Sequence, residues 1–447
     1  MRRHHVLGSI GTLLVVTTMA AACSAPGDRP TVTPPSAVPT EAPRPTLSLP
    51  PTPSRPASPD PGPLELTAAR VAIRPPQHGS FRVRGTYPWR PSPCVRPDRP
   101  ILDGRYPGTL VIRTADDGTL TVAVTLPFDL YLEGIAEVPP TWPAGALEAQ
   151  AIAARSYVLS TTGWAGEQGA PLETPICGTS ACQVYGGIPM PQPTGLRRWY
   201  SAVRDTEGKV LLYGDRPADT VYFSTSNGRT YGNEDVFGSS PLPYLRPVVE
   251  HDDGASPLAH WRVRLPLPDL ATVLQAAGSW PAGTRIGAAS VDGATVTLSG
   301  GGQTRTIDAS SLRDAVNTWA PCRLPRRYPT DGLPVTIPSG WFTVSAGPRG
   351  PVLEGRGWGH GVGMVQWGAY GKAAKGWSAS KILAFYYGGL RPRPYPEPGT
   401  ITVIVATGLR SLTVDPSRAG AVLGGQPLPK GTLRVSGGDA VTVTTSG

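Results

Sequence analysis

One carboxyl group, that of Glu137, stands in a sequence setting that favours acid chemistry. It lies among the apolar residues Val138, Pro139 and Trp142, shortly before a predicted helix. Burial against these neighbours would disfavour the ionised form and raise the pKa, whereas the dipole of the helix would lower it. A carboxyl group that stays protonated near neutral pH can act as a general acid. From spacing alone, a Glu that only caps the helix explains the pattern equally well.

A second segment, residues 355–364, has glycine at every other position up to residue 363. In an extended chain alternate residues face the same side, so the pattern predicts one face of bare backbone opposite Arg356, Trp358 and His360. A bare face would let another chain or a ligand approach closely. The spacing does not match G-x-G-x-x-G, so a dinucleotide loop is not supported. The alternative is a tight packing joint in which His360 is a structural residue.

An alanine-rich helix over residues 143–160 is expected to position Glu137. Thr141 fits the N-cap, and Pro143 falls in the first turn, where its missing N–H does no harm. Helical spacing places four apolar residues on one face: Leu147, Ala151, Ala154 and Val158. The many alanines predict close packing against another backbone.

Short β-segments dominate the rest of the chain. Alternating patterns predict strands in four places: residues 80–84, 109–113, 120–126 and 221–225. Further helices are expected in two places: residues 270–277 and, as a pair, residues 355–387. The 54 Gly and 53 Pro favour turns and short strands. The predicted fold class is therefore α+β and β-rich, with a few helices flanking a cleft.

The first 23 residues have the features of an export signal. Arg2 and Arg3 form a positive front, and the apolar run from Val6 to Ala22 is too short for a membrane-spanning helix. The small residues before Cys23 resemble a bacterial lipobox. This predicts lipidation of Cys23 and anchoring at the outer face of the cytoplasmic membrane. Ordinary cleavage near Ala22, which leaves a soluble secreted protein, is the alternative.

Composition divides the remaining chain into three parts. Residues 24–63 form a tract of Pro, Ser, Thr and Ala that cannot bury a core, so a disordered, semi-rigid spacer is predicted. At roughly 3 Å per residue it could hold a domain on the order of 100 Å from its anchor. The folded domain is expected over residues 64–390. Residues 391–447 are β-like and are expected to form a small C-terminal unit.

The cysteines other than Cys23 form an even set. Cys177 and Cys182 are close enough in sequence to close a small ring, which leaves Cys94 and Cys322 to pair over a long distance. Disulfides fit an oxidising compartment. Zinc is the alternative, because thiolates also bind metal. No His lies near Cys177 or Cys182, so the disulfide is favoured and no metal site is predicted.

The net charge of +9 favours anionic partners. For an exported protein these are wall polymers and lipid headgroups. Nucleic acid is not expected as a partner, because the chain has an export signal and lacks a basic helix or an aromatic RNA-binding motif.

Four longer motifs occur along the chain. The run of residues 131–157 contains Glu-Val-Pro, Trp-Pro and Ala-Gln-Ala-Ile-Ala-Ala-Arg-Ser-Tyr, and residues 357–370 begin Gly-Trp-Gly-His-Gly-Val-Gly-Met. Between them lie Cys-Gln-Val-Tyr at 182–185 and Ser-Thr-Ser-Asn-Gly-Arg-Thr at 224–230. In this order the motifs resemble the SpoIID/LytB family of sporulation stage II protein D, and the similarity spans about residues 64–390.

The resemblance implies a peptidoglycan lytic transglycosylase with no cofactor. Glu137 matches the family's catalytic acid, with Val138 in place of Met. Arg155 matches a family Arg, whereas Glu148 and Gly145 replace residues that are often Lys and Glu in the family. Seven residues are expected to line the cleft and contact substrate: Arg155, Gln183, Tyr185, Ser224, Arg229, His360 and Gln366.

Two other functions are weighed against this one. LytB-type members are thought to bind the wall without cutting it and to assist an amidase, which makes glycan strands and a wall amidase the expected partners. A secreted serine hydrolase has little support, because the chain has no G-x-S-x-G elbow.

Overall fold

The computed structural model shows an α+β fold in which strands predominate, as the sequence predicts. It describes seven ranges of the chain: residues 65–86, 102–135, 137–179, 181–190, 192–328, 336–428 and 431–445. The export signal with Cys23, the spacer of residues 24–63 and Cys94 lie outside these ranges. Lipidation, the spacer and the pairing of Cys94 with Cys322 therefore stay predictions.

Strands and helices are numbered in chain order over these ranges. The strands are β1 (Glu65–Ala68), β2 (Arg70–Arg74), β3 (Phe81–Thr86), β4 (Leu102–Tyr106), β5 (Thr109–Thr114), β6 (Leu120–Pro127), β7 (Ile176–Cys177), β8 (Lys209–Tyr213), β9 (Arg216–Pro217), β10 (Tyr222–Phe223), β11 (Trp261–Arg264), β12 (Ala288–Asp292), β13 (Thr295–Gly300), β14 (Gln303–Asp308), β15 (Phe342–Gly347), β16 (Gly350–Gly355), β17 (Met364–Val365), β18 (Pro392–Pro394), β19 (Thr400–Leu409), β20 (Ser411–Pro416), β21 (Val422–Leu423), β22 (Gln426–Pro427), β23 (Leu433–Ser436) and β24 (Val441–Thr445). The α-helices are α1 (Phe128–Glu133), α2 (Ala144–Thr161), α3 (Arg197–Asp205), α4 (Asn233–Phe237), α5 (Leu267–Ala276), α6 (Ala309–Arg323), α7 (Gln366–Ala374) and α8 (Ala379–Tyr386).

Two large sheets form the main body. One has seven strands in the order β22-β21-β2-β5-β6-β19-β7, and the other has six in the order β1-β24-β23-β20-β3-β4. Strand β6 is apolar at nearly every position and lies inside its sheet, so most of its residues are buried. It leads directly into α1 and from there to Glu137.

The C-terminal strands complete these two sheets. Strand β19 pairs with β6, β20 pairs with β3, and β24 pairs with β1, all antiparallel. Leu412, Val414, Val435 and Val441 are buried in the same core as the N-terminal strands. Residues 391–447 are thus β-rich as expected, but they are not a separate unit, because burying their apolar face requires strands from the beginning of the domain.

Helix α2 runs through the middle of the domain and is buried on nearly all sides. The predicted apolar face, with Leu147, Ala151, Ala154 and Val158, lies in the main core. Its other faces meet α7 and α8 in a second core. Alanine side chains permit this approach from both directions. The N-cap position is Pro143 and no side chain caps the helix, so the expected Thr141 cap is wrong.

Residues 261–328 and 336–355 form an insert with a core of its own. Three-stranded sheets β11-β16-β15 and β12-β13-β14 pack with α5 and α6 around Leu270, Leu298, Leu312 and Leu353. The predicted short helix at 270–277 is α5. The insert returns to the main body where the glycine-rich segment begins. Over the described residues, the chain contains no helix with the length and apolar character needed to cross a membrane.

Candidate functional site

Glu137 lies in the loop between α1 and α2, where three groups converge on its half-buried carboxyl. The backbone N–H of Val184 donates to Oε1 at 2.8 Å, and the side chains of Tyr222 and Gln366 hydrogen-bond to the same carboxyl. These partners come from three separate segments, two of which are motifs recognised in the sequence. Because Glu137 accepts from Val184 and not from the N-terminal turn of α2, its role is not that of a helix cap.

The surroundings of Glu137 favour its protonated form. Burial raises its pKa from 4.5 to about 7, and the hydrogen bonds donated by Val184 N–H and the Gln366 side chain oppose this rise without cancelling it. Among the described residues, no second carboxylate contributes to the shift. The site therefore presents one carboxyl group that exchanges its proton near neutral pH.

A buried amide fixes the hydroxyl of Tyr222. The Oε1 of Gln183 accepts from the Tyr222 hydroxyl at 2.8 Å, while its Nε2 donates to the Tyr131 hydroxyl and to Ala154 O, both at 3.1 Å. Gln183 is only 2% exposed. It was expected to line the cleft, but it lies beneath the site and acts by positioning Tyr222.

The Cys177–Cys182 disulfide shapes the segment that carries Val184. Strand β7 pairs with β19, and the bonded cysteines, with Cα atoms 5.7 Å apart, close the ring predicted from the sequence. The Tyr185 N–H donates back to Gly178 O at 3.1 Å. Val184 lies between Cys182 of this ring and Tyr185, and its N–H donates to Glu137. Tyr185 itself is buried against Tyr106 and Tyr131, so its expected substrate contact is wrong.

The glycine-rich segment is folded differently from the extended strand that was expected. Gly357, Gly359, Gly361 and Gly363 all have positive φ, between 74° and 118°, which an extended strand does not contain. The segment wraps around residues 221–231 and bonds to them through the backbone of Trp358, Gly361 and Met364. The packing-joint interpretation is the one that the structure supports.

His360 is a structural residue of this joint. Its Nδ1 accepts from the Val362 N–H at 3.1 Å, which leaves the proton on Nε2 to donate to Tyr222 O at 2.9 Å. Burial lowers its pKa to about 4, so the ring is neutral. Both ring nitrogens are occupied by backbone groups, which favours the structural interpretation, and a contact of His360 with substrate stays a prediction. The ring supports the strand that carries Tyr222.

Arg155 is also removed from the cleft. It is 1% exposed, its guanidinium forms an ion pair with Glu397, and it donates to Thr206 Oγ1 at 3.1 Å and Val203 O at 2.9 Å. A buried cation needs several partners to offset the loss of water, and those of Arg155 all come from the protein. Because the guanidinium is buried and already bonded, its expected contact with substrate is wrong. Arg155 instead ties α2 to α3 and to the segment before β19.

Of the remaining expected residues, Gln366 is buried, Ser224 is half-buried and Arg229 is exposed. Gln366, the first residue of α7, meets Glu137, and its Nε2 donates to Gln150 Oε1 at 3.4 Å. Ser224 is half-buried two residues beyond Tyr222, with its carbonyl bonded to the Trp367 N–H. Arg229 is exposed and its guanidinium lies 5.3 Å from the centre of the Tyr231 ring.

Gly145 and Glu148, the two residues of α2 that differ from the usual family residues, have different surroundings. A Cβ on Gly145 would lie 2.6 Å from Trp377 O, so the contact between α2 and the start of α8 leaves no room for a longer residue. Glu148 is half-buried and contributes nothing to the pKa shift of Glu137.

Gly363→Ala is expected to lower the free energy of unfolding more than Gly376→Ala does. Both glycines have positive φ, 75° at Gly363 and 82° at Gly376. An alanine at either position would therefore be strained by about 1–2 kcal/mol. A Cβ on Gly363 would also lie 2.0 Å from Val221 O, whereas nothing lies within 4 Å at Gly376. This crowding adds about 1–3 kcal/mol. Urea denaturation compares the variants, and equal losses would rule out the packing joint.

Comparison with known proteins agrees with the motifs. The family model SpoIID, "Stage II sporulation protein", matches residues 116–213. The chain is 30% identical to a protein of Brachyspira hyodysenteriae over 289 residues, which cover 64% of this chain and 71% of that protein. It is 28% identical to stage II sporulation protein D of Bacillus subtilis over 300 residues, 62% of this chain and 77% of that one. The chain belongs to the SpoIID family, which confirms the resemblance.

A further relative carries a different name. The chain is 28% identical over 290 residues to the amidase enhancer of Bacillus subtilis, and the match covers 57% of this chain. It spans 38% of the length of that relative. The relatives thus include one named for sporulation and one named for enhancing an amidase.

Proposed function

We propose that this protein is an exported lytic transglycosylase that cleaves peptidoglycan glycan strands between N-acetylmuramic acid and N-acetylglucosamine. The observation that carries the proposal is the Glu137 carboxyl, half-buried, held by Val184, Tyr222 and Gln366, with its pKa raised to about 7. Hydrolysing glycosidases normally use two carboxyl groups. A transglycosylase needs only one, since the sugar supplies its own nucleophile.

The reaction uses the same carboxyl group twice. Protonated Glu137 donates its proton to the glycosidic oxygen as the bond from that oxygen to C1 of N-acetylmuramic acid breaks. The resulting carboxylate then takes the proton of the C6 hydroxyl, whose oxygen bonds to C1 and closes a 1,6-anhydro ring. The carboxyl is again protonated, and no water is consumed. The Val184 N–H and the Gln366 side chain stabilise the transient carboxylate.

The products distinguish this function from the alternatives. Purified protein is incubated with peptide-stripped glycan strands in ¹⁸O-labelled water, and the chain ends are identified by mass spectrometry. We expect 1,6-anhydro ends without ¹⁸O, and none from Glu137→Gln. Reducing ends that carry ¹⁸O would indicate a hydrolase instead.

The similarity to an amidase enhancer supports a second candidate function, a non-catalytic wall protein that assists an amidase. Binding of strands by both the parent and Glu137→Gln proteins, with no new ends from either, would favour this function. In either case we propose that the protein acts at the cell wall, held to the membrane by a lipid on Cys23. That anchor is tested by mass spectrometry of the mature N-terminus.

The cleavage rate is expected to fall as pH rises through about 7. The carboxyl of Glu137 must start protonated, and the protonated fraction decreases above its pKa of about 7. The turnover number is measured at saturating glycan from about pH 5 to about pH 9, with circular dichroism to confirm folding at each pH. A rate that continues to rise up to the alkaline limit would contradict a general acid with this pKa.

A further inference from the structure

An open cavity of about 480 Å³ lies where the insert meets the glycine-rich segment. Its lining includes Asn227, His260, Trp341, Glu354 and Arg356. Asn227 belongs to the motif of residues 224–230, and Arg356 directly precedes the glycine-rich wrap. One motif that carries the family resemblance and the residue just before another therefore meet in a cavity that contains none of the groups contacting Glu137.

Asn227 places an acceptor without a partner in the wall of this cavity. Its Nδ2 donates to the Tyr231 hydroxyl at 2.7 Å, which fixes the orientation of the amide. Its Oδ1 is buried, and within the described ranges it has no hydrogen-bond partner. A buried acceptor without a donor is unfavourable, so a ligand N–H that reaches it would contribute strongly to binding.

Trp341 supplies a flat apolar wall. It stacks on Tyr231 with ring centres 5.8 Å apart and planes 16° apart, and the Arg229 guanidinium lies 5.3 Å from the Tyr231 ring centre. The backbone of Trp341 is also held, because its N–H donates to Ser339 Oγ at 3.2 Å. This side chain is therefore rigid before any ligand arrives, which lowers the entropic cost of binding.

The charge at the rim is positive. Arg356 is exposed, and no ion pair with it occurs among the residues that the structure places. The neighbouring Glu354 is already paired with Arg262 at 3.0 Å. A guanidinium in this position is suited to a carboxylate, which it can bind through two parallel hydrogen bonds.

These groups fit one class of ligand, an N-acetylated sugar that also bears a carboxylate. The acetamido N–H matches Asn227 Oδ1, the sugar ring face matches Trp341, and the carboxylate matches Arg356. We propose that this cavity is a second glycan-binding site, which holds an N-acetylmuramic acid residue of the same strand that reaches Glu137. The proposal rests on the proposed function for the identity of the strand.

The spacing permits one strand to contact both places. Tyr222 contacts Glu137, and Asn227 follows five residues later, so their Cα atoms are at most about 18 Å apart. A site at this distance would contact long strands and leave short oligosaccharides unaffected. It would therefore determine the preference for substrate length.

The test measures binding by calorimetry in a Glu137→Gln background, which keeps the strands intact. The probes are a peptide-free disaccharide, a peptide-free octasaccharide of glycan strand, and a chitin octamer, which lacks the carboxylate. We expect Arg356→Ala to weaken binding of the glycan octasaccharide about tenfold or more, with little change for the disaccharide or the chitin octamer. Asn227→Ala should weaken both octamers.

The matched control is Arg305→Ala, an exposed Arg of β14 that does not line the cavity. Thermal unfolding checks that each variant is folded, and Arg356→Lys should recover part of the lost affinity. If Arg356→Ala binds the glycan octasaccharide as tightly as Arg305→Ala does, the second site is refuted, even if the parent cleaves strands. If Arg356→Ala weakens binding but the parent forms no anhydro ends, the cavity assignment holds and the proposed function fails.

Discussion

Replacing Glu137 by Gln is expected to reduce the rate of glycan cleavage by about 10²–10⁴-fold, the usual contribution of a general acid. The substitution preserves size and hydrogen bonding to Val184, Tyr222 and Gln366 but removes the transferable proton. The rate is measured by counting new chain ends on peptide-stripped strands. Strand binding should change far less than the rate, because the amide still fills the site.

Glu148→Gln is the matched control for this substitution. Glu148 is half-buried on α2, close in sequence to Glu137, and takes no part in the pKa shift. We expect its cleavage rate to stay within about twofold of the parent, since a surface charge of this kind contributes little. Equal losses in the two variants would mean that charge near α2, and not the Glu137 proton, drives the reaction.

Lys372→Met is expected to lower the free energy of unfolding by about 3–5 kcal/mol. Lys372 is 2% exposed, and its ammonium lies 2.8 Å from Glu250 Oε1 and 3.0 Å from Asp252 Oδ2. Removing this cation leaves the Glu250 carboxylate buried with the Tyr386 hydroxyl as its remaining side-chain partner in the described structure. An uncompensated buried charge is the source of the large loss.

Lys375→Met provides a matched comparison within the same network. Lys375 also contacts Asp252, but its side chain is 67% exposed, so the pair is screened by water. The expected loss is about 0–1 kcal/mol. Urea denaturation monitored by tryptophan fluorescence gives both values. If both variants lost a similar amount of unfolding free energy, the burial of Lys372 would not be the reason that its ion pair stabilises the fold.

The buried ion pair also bears on the site. Lys372 lies on α7, the helix that begins with Gln366, and Glu250 anchors that helix to the segment after the motif of residues 224–230. Because Gln366 contacts Glu137, loosening α7 would also move one of the groups that hold the carboxyl. We therefore expect the Lys372 variant to lose some activity even at temperatures where it stays folded.

Local patterns were sufficient to predict the helix behind Glu137, whereas spacing alone did not distinguish an acid from a helix cap at Glu137 itself. Apolar neighbours and helical spacing act over a few residues, and they correctly placed the buried face of α2. The same reasoning failed for the glycine-rich segment, because alternate glycines are compatible with both an extended strand and a chain with alternating positive φ. Only the backbone of residues 221–231, packed against it, selects the second conformation.

Contacts between distant segments could not be predicted. Arg155 was expected in the cleft because it matches a family Arg, but its partner Glu397 comes from near the end of the chain. Tyr222 was missed, since a Tyr in an apolar β-segment normally belongs to a core. The strands of residues 391–447 likewise show their apolar faces in sequence but not the N-terminal strands that cover them.

The central claim, that the Glu137 carboxyl keeps its proton near neutral pH, is tested most directly by titration. In protein labelled with ¹³C at the Glu side-chain carboxyls, the Glu137 resonance is assigned by its loss in Glu137→Gln and followed by NMR as pH is raised. The structure predicts a midpoint near pH 7. A midpoint near 4.5, the ordinary value for Glu, would show that the carboxyl is already ionised at neutral pH and cannot start the reaction as an acid.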